Sequence, residues 1–116
     1  DASASDIPMV IIQNENSASA SEILAGAMKD RGRAKVIGTQ SFGKGVVQKV
    51  FNLENGAGAK ITISEYFTPN GTQINKVGVT PDIEVSSEED LDLSKMDFKN
   101  DKQFVTALNE LLKELE

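Results

Sequence analysis

The sequence contains neither cysteine nor histidine, and these two absences exclude several kinds of site. Without cysteine the chain has no disulfide, no thiolate zinc site and no cysteine nucleophile. Without histidine it has no imidazole base, no histidine metal cluster and no Ser-His-Asp triad. Acid–base chemistry near neutral pH therefore requires a carboxylate or a lysine, and we expect no metal and no cofactor.

Long apolar runs and clusters of basic residues are scarce as well. The longest apolar run, residues 7–12, is far shorter than the roughly 20 residues that cross a bilayer. Eighteen acidic residues outnumber twelve basic ones, which gives a net charge of -6 and leaves no basic patch for a phosphate backbone. The sequence therefore predicts neither a membrane span nor a nucleic-acid partner.

What remains is the composition of a globular domain. The 116 residues are 39% hydrophobic and 26% charged, which suffices for one hydrophobic core. The chain begins with Asp1 rather than Met, and from this we expect a piece of a longer protein.

Hydrophobic periodicity predicts an α/β fold. Residues 8–12 are typical of a continuous buried strand in a parallel sheet, residues 20–32 carry apolar side chains at helical spacing, and residues 34–38 form a second short apolar segment. Together they predict a βαβ unit. Residues 46–51 and 59–66 are β-branched or alternating, with a glycine-rich turn between them, and they predict a β-hairpin.

The last third of the chain predicts edge strands and a terminal helix. Residues 73–77 and 80–85 are short and flanked by turn residues, and the acidic residues after them predict a solvated linker. From about residue 101 onward the spacing is that of an amphipathic helix, which we expect to dock on the domain rather than on a separate partner. Its predicted apolar face comprises Phe104, Leu108, Leu111, Leu112 and Leu115.

Ser19 precedes the first predicted helix and has two interpretations. With Glu22 three residues later it matches a capping box, in which the hydroxyl only satisfies a helix N–H group. The same turn from strand to helix also suits a nucleophile, because a helix N-terminus favours negative charge. The next amide, that of Ala20, would then donate to an oxyanion. These residues alone leave both interpretations open.

Lys44 lies between two glycines and is either a surface lysine or a base. A lysine that takes a proton from serine needs a pKa near 7 to 8 instead of about 10.4, through desolvation or a neighbouring cation. Phe42 and Val46 are candidates for an apolar wall. Gln48 follows four residues later, about 13 Å away in an extended strand, so contact between Gln48 and Lys44 requires a bend.

Residues 38–44 also fit the G-x-x-x-x-G-K pattern that begins a phosphate-binding loop. The next residue argues against that interpretation, because Gly45 stands where such a loop needs Ser or Thr to hold magnesium. The segment that follows is typical of a strand, whereas a phosphate-binding loop leads into a helix. The pattern therefore disfavours a nucleotide ligand.

Two segments, NENSASASE at residues 14–22 and GTQSFGKGVVQ at residues 38–48, resemble the active-site blocks of the C-terminal processing (tail-specific) protease family. YFTPNG at residues 66–71 and GVTPD at residues 78–82 are similar to later blocks of the family. The resemblance therefore covers about residues 8–85.

The resemblance implies a role for each matched residue. Ser19 is the expected nucleophile, Lys44 the general base and Gln48 the residue that orients the lysine. The alignment with the family, not the chemistry of the side chains, selects Ser19 over Ser17 and Ser21. A Ser/Lys dyad of this kind needs no histidine, and it works by acyl transfer through an acyl-enzyme.

Two further site residues and the fold also follow from the resemblance. Glu22 occupies the Ser-x-x-Glu position, and the Ala20 amide is the expected oxyanion donor. The expected fold is part of a crotonase/Clp-protease-like core, here without its N-terminal part and without a PDZ domain. The predicted organisation is a frayed tail (1–6), a catalytic subdomain (7–85), an acidic linker (86–100) and a C-terminal helix (101–116).

The implied function is that of a serine endopeptidase that cleaves proteins near their C-terminus, at the bacterial cell envelope, in the periplasm or outside the cell. The expected partners are C-terminal tails of protein substrates. The chain alone is expected to be inactive, because a missing oxyanion donor costs about 3–4 kcal/mol of transition-state stabilisation. Exposed strand edges predict a homo-oligomer or strand exchange. The alternative function is a non-catalytic binding or assembly module on the same scaffold.

Overall fold

A computed structural model describes residues 6–87 and 97–115 of the chain. The nine residues before Asp97 and the first five residues, which include most of the predicted linker and tail, lie outside the described residues. Among the described residues no helix has the length and apolar character that crossing a membrane requires. In chain order the elements are β1 (Val10–Gln13), α1 (Ala20–Asp30), β2 (Lys35–Gly38), β3 (Val46–Asn52), β4 (Gly58–Glu65), β5 (Ile83–Glu84) and α2 (Lys102–Lys113).

The main sheet is parallel and has the strand order β1-β2-β5. Helix α1 connects β1 to β2, which confirms the predicted parallel βαβ unit. In β2 the adjacent side chains of Val36 and Ile37 are both fully buried. Since neighbours in a strand point to opposite faces, both faces of β2 are covered, by α1 and by α2. Each of these two side chains contributes about 1.5–3 kcal/mol by burial.

The hydrophobic core joins α1 and the sheet to the loop before β5. Ala25, Val36 and Val79 are buried together, and Ile11 packs against them. The loop that carries Val79 is therefore fixed to the same core as helix α1, which follows Ser19.

Strand β1 differs from the prediction of a continuous buried strand at residues 8–12. It begins at Val10. Val10 pairs with Lys35, the first residue of β2, so the residues before Val10 have no residue of β2 to pair with. β1 is also an edge strand, so that Ile12 is 43% exposed. The parallel pairing was predicted correctly, and the full burial was wrong.

Strands β3 and β4 form the predicted antiparallel hairpin. The ladder has an irregularity between Val47 and Gln48, where the register of the pairing shifts. Side chains on both faces of the hairpin are exposed, among them Val50 and Ile61.

The extended stretch predicted at residues 73–77 is mostly a turn. Only Gln73 makes a β-bridge, to Phe67, while the N–H groups of Val77 and Gly78 both donate to the Ile74 carbonyl. Lys76 in this turn has a φ of 60°. The later strand, β5, lies at the edge of the main sheet as predicted, but is only two residues long.

Helix α2 docks on β1 and β2, as expected. Asp101 caps it by accepting the N–H groups of Gln103 and Phe104. The predicted apolar face is partly wrong, because the most buried positions are Gln103 and Ala107, and Gln103 is fixed there by donating from Nε2 to the Val85 carbonyl. Three of the five residues of the predicted face are exposed to solvent, namely Leu108, Leu112 and Leu115.

Candidate active site

Ser19 lies in a strained turn between β1 and α1. Its φ of 58° and ψ of -116° form a combination open mainly to glycine, and holding a side chain there costs on the order of 1–3 kcal/mol. A helix cap does not need this strain, since an N-cap residue normally has an extended backbone. α/β-hydrolases present a nucleophilic serine on a similar strained turn from strand to helix. Ser19 therefore stands at the N-cap of α1 with a strain that a helix cap alone does not require.

Glu22 is a fully buried carboxylate that joins the Ser19 turn to the Lys44 loop, defined as residues 39–45 between β2 and β3. Its Oε2 accepts the N–H groups of Ser19 at 2.8 Å and of Lys44 at 2.9 Å. Its Oε1 accepts the Ser41 hydroxyl at 2.6 Å and the Gly43 N–H at 2.5 Å. The contact with Ser19 belongs to the predicted capping box, whereas the other three contacts come from a distant part of the chain.

These hydrogen bonds decide the charge of Glu22. Burial raises the pKa of this carboxyl and is the largest single effect. Hydrogen bonds from the Ser41 hydroxyl and from the amides of Gly43, Lys44 and Ser19 act in the opposite direction and together hold the pKa below its ordinary value. Glu22 is therefore an ionised carboxylate at neutral pH, and its negative charge lies at the N-terminus of α1, where the helix dipole favours it.

The shared carboxylate brings the backbones of Ser19 and Lys44 together. Because both N–H groups bind the same oxygen, their nitrogens are at most about 6 Å apart. A second tie runs beside it, from the Phe42 N–H to the Ser17 carbonyl at 2.9 Å. The backbones of two residues that are distant in the sequence are thus neighbours at the Glu22 carboxylate.

The glycines on either side of Lys44 are required by close backbone packing. A Cβ on Gly45 would collide with the Asn75 nitrogen, and a Cβ on Gly43 would come within 3.0 Å of the Val77 nitrogen. Gly43 also has a φ of 89°, which other residues rarely adopt. The loop is held in this position by the Lys76 N–H, which donates to the Gly43 carbonyl at 2.8 Å.

We expect Gly45→Ala to displace the Lys44 loop and to lower the free energy of unfolding by about 1–3 kcal/mol, the usual cost of overpacking. Gly58→Ala is the matched control, because a Cβ there meets nothing closer than 3.7 Å and an alanine in a strand is slightly favourable. Urea unfolding of both variants measures the difference. Equal stability of the two variants would contradict the role assigned to the close approach at Gly45.

A cavity of about 570 Å³ opens beside the Lys44 loop. Lys44 and Gln48 both line it, while Ala18, Phe42 and Val46 supply apolar surface. Among the residues that the structure describes, none pairs with the Lys44 ammonium group. The amide of Gln48 donates to the Thr62 hydroxyl at 3.4 Å rather than to an atom of Lys44.

The Ala20 amide, the expected oxyanion donor, follows Ser19 directly. It lies at the first position of α1, where an N–H group has no acceptor within the helix. The neighbouring amides of Ser21 and Glu22 donate to the carbonyls of Ala18 and Ser19. No acceptor for the Ala20 N–H lies within residues 6–87 or 97–115.

Sequence reasoning missed the hydrogen bonds that position these residues. Glu22 was interpreted from its spacing to Ser19, but no local pattern indicates its bonds to Gly43 and Lys44. Ser41 was quoted within a motif without a role, although its side chain is buried between Glu22 and Val79. These contacts join polar groups that are distant in the sequence. A single sequence contains no signal that pairs such residues.

Comparison with known proteins gives consistent matches. Residues 1–85 match the model of peptidase family S41. A carboxyl-terminal-processing protease of Picosynechococcus sp. is 45% identical over 104 residues, which are 90% of this chain and 25% of the relative.

Two solved structures are similar in fold. A photosystem II D1 C-terminal processing protease has 47% sequence identity and a TM-score of 0.66, covering 68% of this chain and 20% of that one. The tricorn protease has 26% identity and a TM-score of 0.72, covering 93% of this chain and 10% of that one. The chain thus spans a quarter or less of the length of each of these proteins.

Proposed function

Because the chain belongs to peptidase family S41, we propose that it carries the nucleophile and the base of a serine endopeptidase that cleaves proteins near their C-terminus. The observation that supports this most is the carboxylate of Glu22, which binds the backbones of both Ser19 and Lys44. The strain at Ser19 supports it independently.

In the proposed reaction Lys44 takes the proton of the Ser19 hydroxyl, and the Ser19 oxygen attacks the carbonyl carbon of the scissile peptide bond. The negative charge that develops on the carbonyl oxygen is stabilised by the Ala20 N–H. Lys44 then gives the proton to the departing amine, which leaves an ester on Ser19. In the second half Lys44 takes a proton from water, the hydroxide attacks the ester, and the proton returns to Ser19.

Gln48 and Glu22 have supporting roles in this proposal. Gln48 lines the same cavity as Lys44, from which it would orient the ammonium group. Glu22 lies behind the site with all of its described hydrogen bonds directed to the protein, so it is a positioning residue and takes no proton from the substrate.

The rest of the enzyme is also part of the proposal. The chain spans 25% of the length of the Picosynechococcus relative. We propose that the remaining length supplies the second oxyanion donor and the substrate groove, so that residues 1–116 alone do not cleave peptides. Relatives come from bacteria and, by their names, from chloroplasts. For this protein we propose a site of action at the cell envelope or outside the cell, on the C-terminal tails of protein substrates.

A fluorophosphonate probe tests this proposal without a known substrate. In the full-length gene product we expect covalent labelling of Ser19, identified by peptide mass spectrometry, because the probe reacts with an activated serine. Labelling should be lost in Ser19→Ala and in Lys44→Ala, and retained in Ser21→Ala, which changes a serine on the same helix turn. Equal labelling of wild type and Lys44→Ala would exclude Lys44 as the activating base, and no labelling of the wild type would leave the binding-module alternative as the better interpretation.

A further inference from the structure

Ser41 is a buried hydroxyl with two strong hydrogen bonds and only 5% exposure. It donates to Glu22 Oε1 at 2.6 Å and accepts the N–H of Val79 at 2.7 Å. The Ser41 N–H also donates to the Val79 carbonyl, at 3.3 Å. The side chain therefore connects the carboxylate behind the dyad directly to the loop that carries Val79.

Val79 is itself rigidly held. Its side chain lies in the core with Ala25 and Val36, and its carbonyl accepts a second hydrogen bond, from Gln13 Nε2 at 2.6 Å. Gln13 is the last residue of β1 and is buried. The backbone of Val79 is thus hydrogen-bonded at both its N–H and its carbonyl. The Ser41 hydroxyl binds this N–H and also Glu22, so it holds the carboxylate at a fixed position relative to Val79.

Orientation matters at Glu22 because its two oxygens serve different donors. Oε2 binds the amides of Ser19 and Lys44, while Oε1 binds Ser41 and Gly43. The torsion of a Glu carboxylate is broad, so an isolated carboxylate would rotate easily. The Ser41 hydroxyl is the side-chain donor that fixes this rotation, since the other three donors are backbone amides of the segments being positioned.

We propose that Ser41 is a positioning residue of the Ser19/Lys44 dyad, which it aligns by orienting the Glu22 carboxylate against the core at Val79. This inference rests on the proposed function above. Only a hydroxyl serves both contacts, because the side chain must donate to Glu22 and accept from Val79. An alanine would leave the buried Val79 N–H without an acceptor, and Glu22 Oε1 would keep the Gly43 N–H but lose its side-chain donor.

The test compares Ser41→Ala with Ser41→Thr in the full-length gene product, using a peptide substrate that the wild type cleaves. For Ser41→Ala we expect kcat to fall about 10- to 100-fold with KM changed less than about threefold, because the dyad and not the substrate surface is disturbed. The rate of fluorophosphonate labelling should fall by a similar factor. Ser41→Thr, which keeps the hydroxyl, should recover most of kcat.

Thr68→Val is the control for a general loss of stability. Thr68 is a second buried hydroxyl, and it accepts the Thr72 N–H away from Glu22. We expect Thr68→Val to be destabilised but to keep the wild-type kcat. If Ser41→Ala does not fold, Ser41→Cys retains the volume with weaker hydrogen bonds, and its kcat should lie clearly below that of Ser41→Thr.

The outcomes separate the two proposals. Cleavage by a Ser19→Ala variant would overturn the proposed function. Loss of cleavage in Ser19→Ala together with full kcat in Ser41→Ala would overturn the role of Ser41 alone. Equal losses of kcat in Ser41→Ala, Ser41→Thr and Thr68→Val would show that buried packing, and not orientation of Glu22, accounts for the effect.

Discussion

Ser19→Ala and Lys44→Ala are each expected to lower kcat of the full-length gene product by several orders of magnitude, up to about a million-fold. The physical reason is that neither group works alone: without Lys44 the hydroxyl keeps its proton, and without Ser19 the lysine has no nucleophile to activate. The double variant should therefore be no slower than either single variant. Steady-state cleavage of a reporter peptide measures all three.

Lys60→Ala is the matched control for the loss of a positive charge. Lys60 is an exposed lysine on β4, in the hairpin away from Ser19. Its removal should change kcat less than about twofold, since it touches none of the proposed groups. Retained cleavage in Lys44→Ala would exclude the dyad, and multiplicative losses in the double variant would show that the two residues act independently.

The fold could be predicted where the spacing of apolar residues within one segment determines whether that segment is a helix or a strand. The apolar segment around Val36, the helix spacing after Ser19 and the turn of the hairpin each describe one element, and the parallel βαβ unit and the hairpin follow from their order. The errors concern burial and the extended stretch at residues 73–77, both of which depend on neighbours in space. Ile12 was predicted inside a continuous buried strand, yet β1 is an edge strand and leaves it exposed.

The candidate site, like the fold, could be predicted only in part. Ser19 and Lys44 could be identified from the resemblance of their segments, but the strained φ of Ser19 and the four hydrogen bonds of Glu22 are properties of the folded chain. Spacing suggested a cap, with Glu22 bound only to its own helix. The folded chain uses the same carboxylate for the Lys44 loop as well, and Gly43 and Gly45 let that loop pack closely against the turn at Lys76.

Glu22→Gln is expected to lower the free energy of unfolding by about 2–5 kcal/mol at pH 7. The substitution keeps the shape but replaces one oxygen by an NH2 group, which faces donors where the carboxylate accepted hydrogen bonds. Glu65→Gln is the matched control, because Glu65 is exposed on β4 and accepts two exposed hydrogen bonds, from Asn75 at 3.1 Å and from Gln73 at 3.5 Å. Its effect should stay below about 0.5 kcal/mol. Urea unfolding at pH 7 measures both variants.

The effect of Glu22→Gln should also depend on pH in a direction that the hydrogen bonds fix. Because the pKa of Glu22 in the folded protein lies below its ordinary value of 4.5, the ionised carboxylate stabilises the fold fully above that ordinary value. This stabilisation is lost as the pH falls through the lower pKa of the folded state, since a protonated Glu22 loses acceptor capacity as the amide does. The difference between wild type and Glu22→Gln should therefore be constant near neutral pH and should narrow under acid. A difference that stays the same across the acid range would mean that shape, and not the charge of the carboxylate, holds the Ser19 turn against the Lys44 loop.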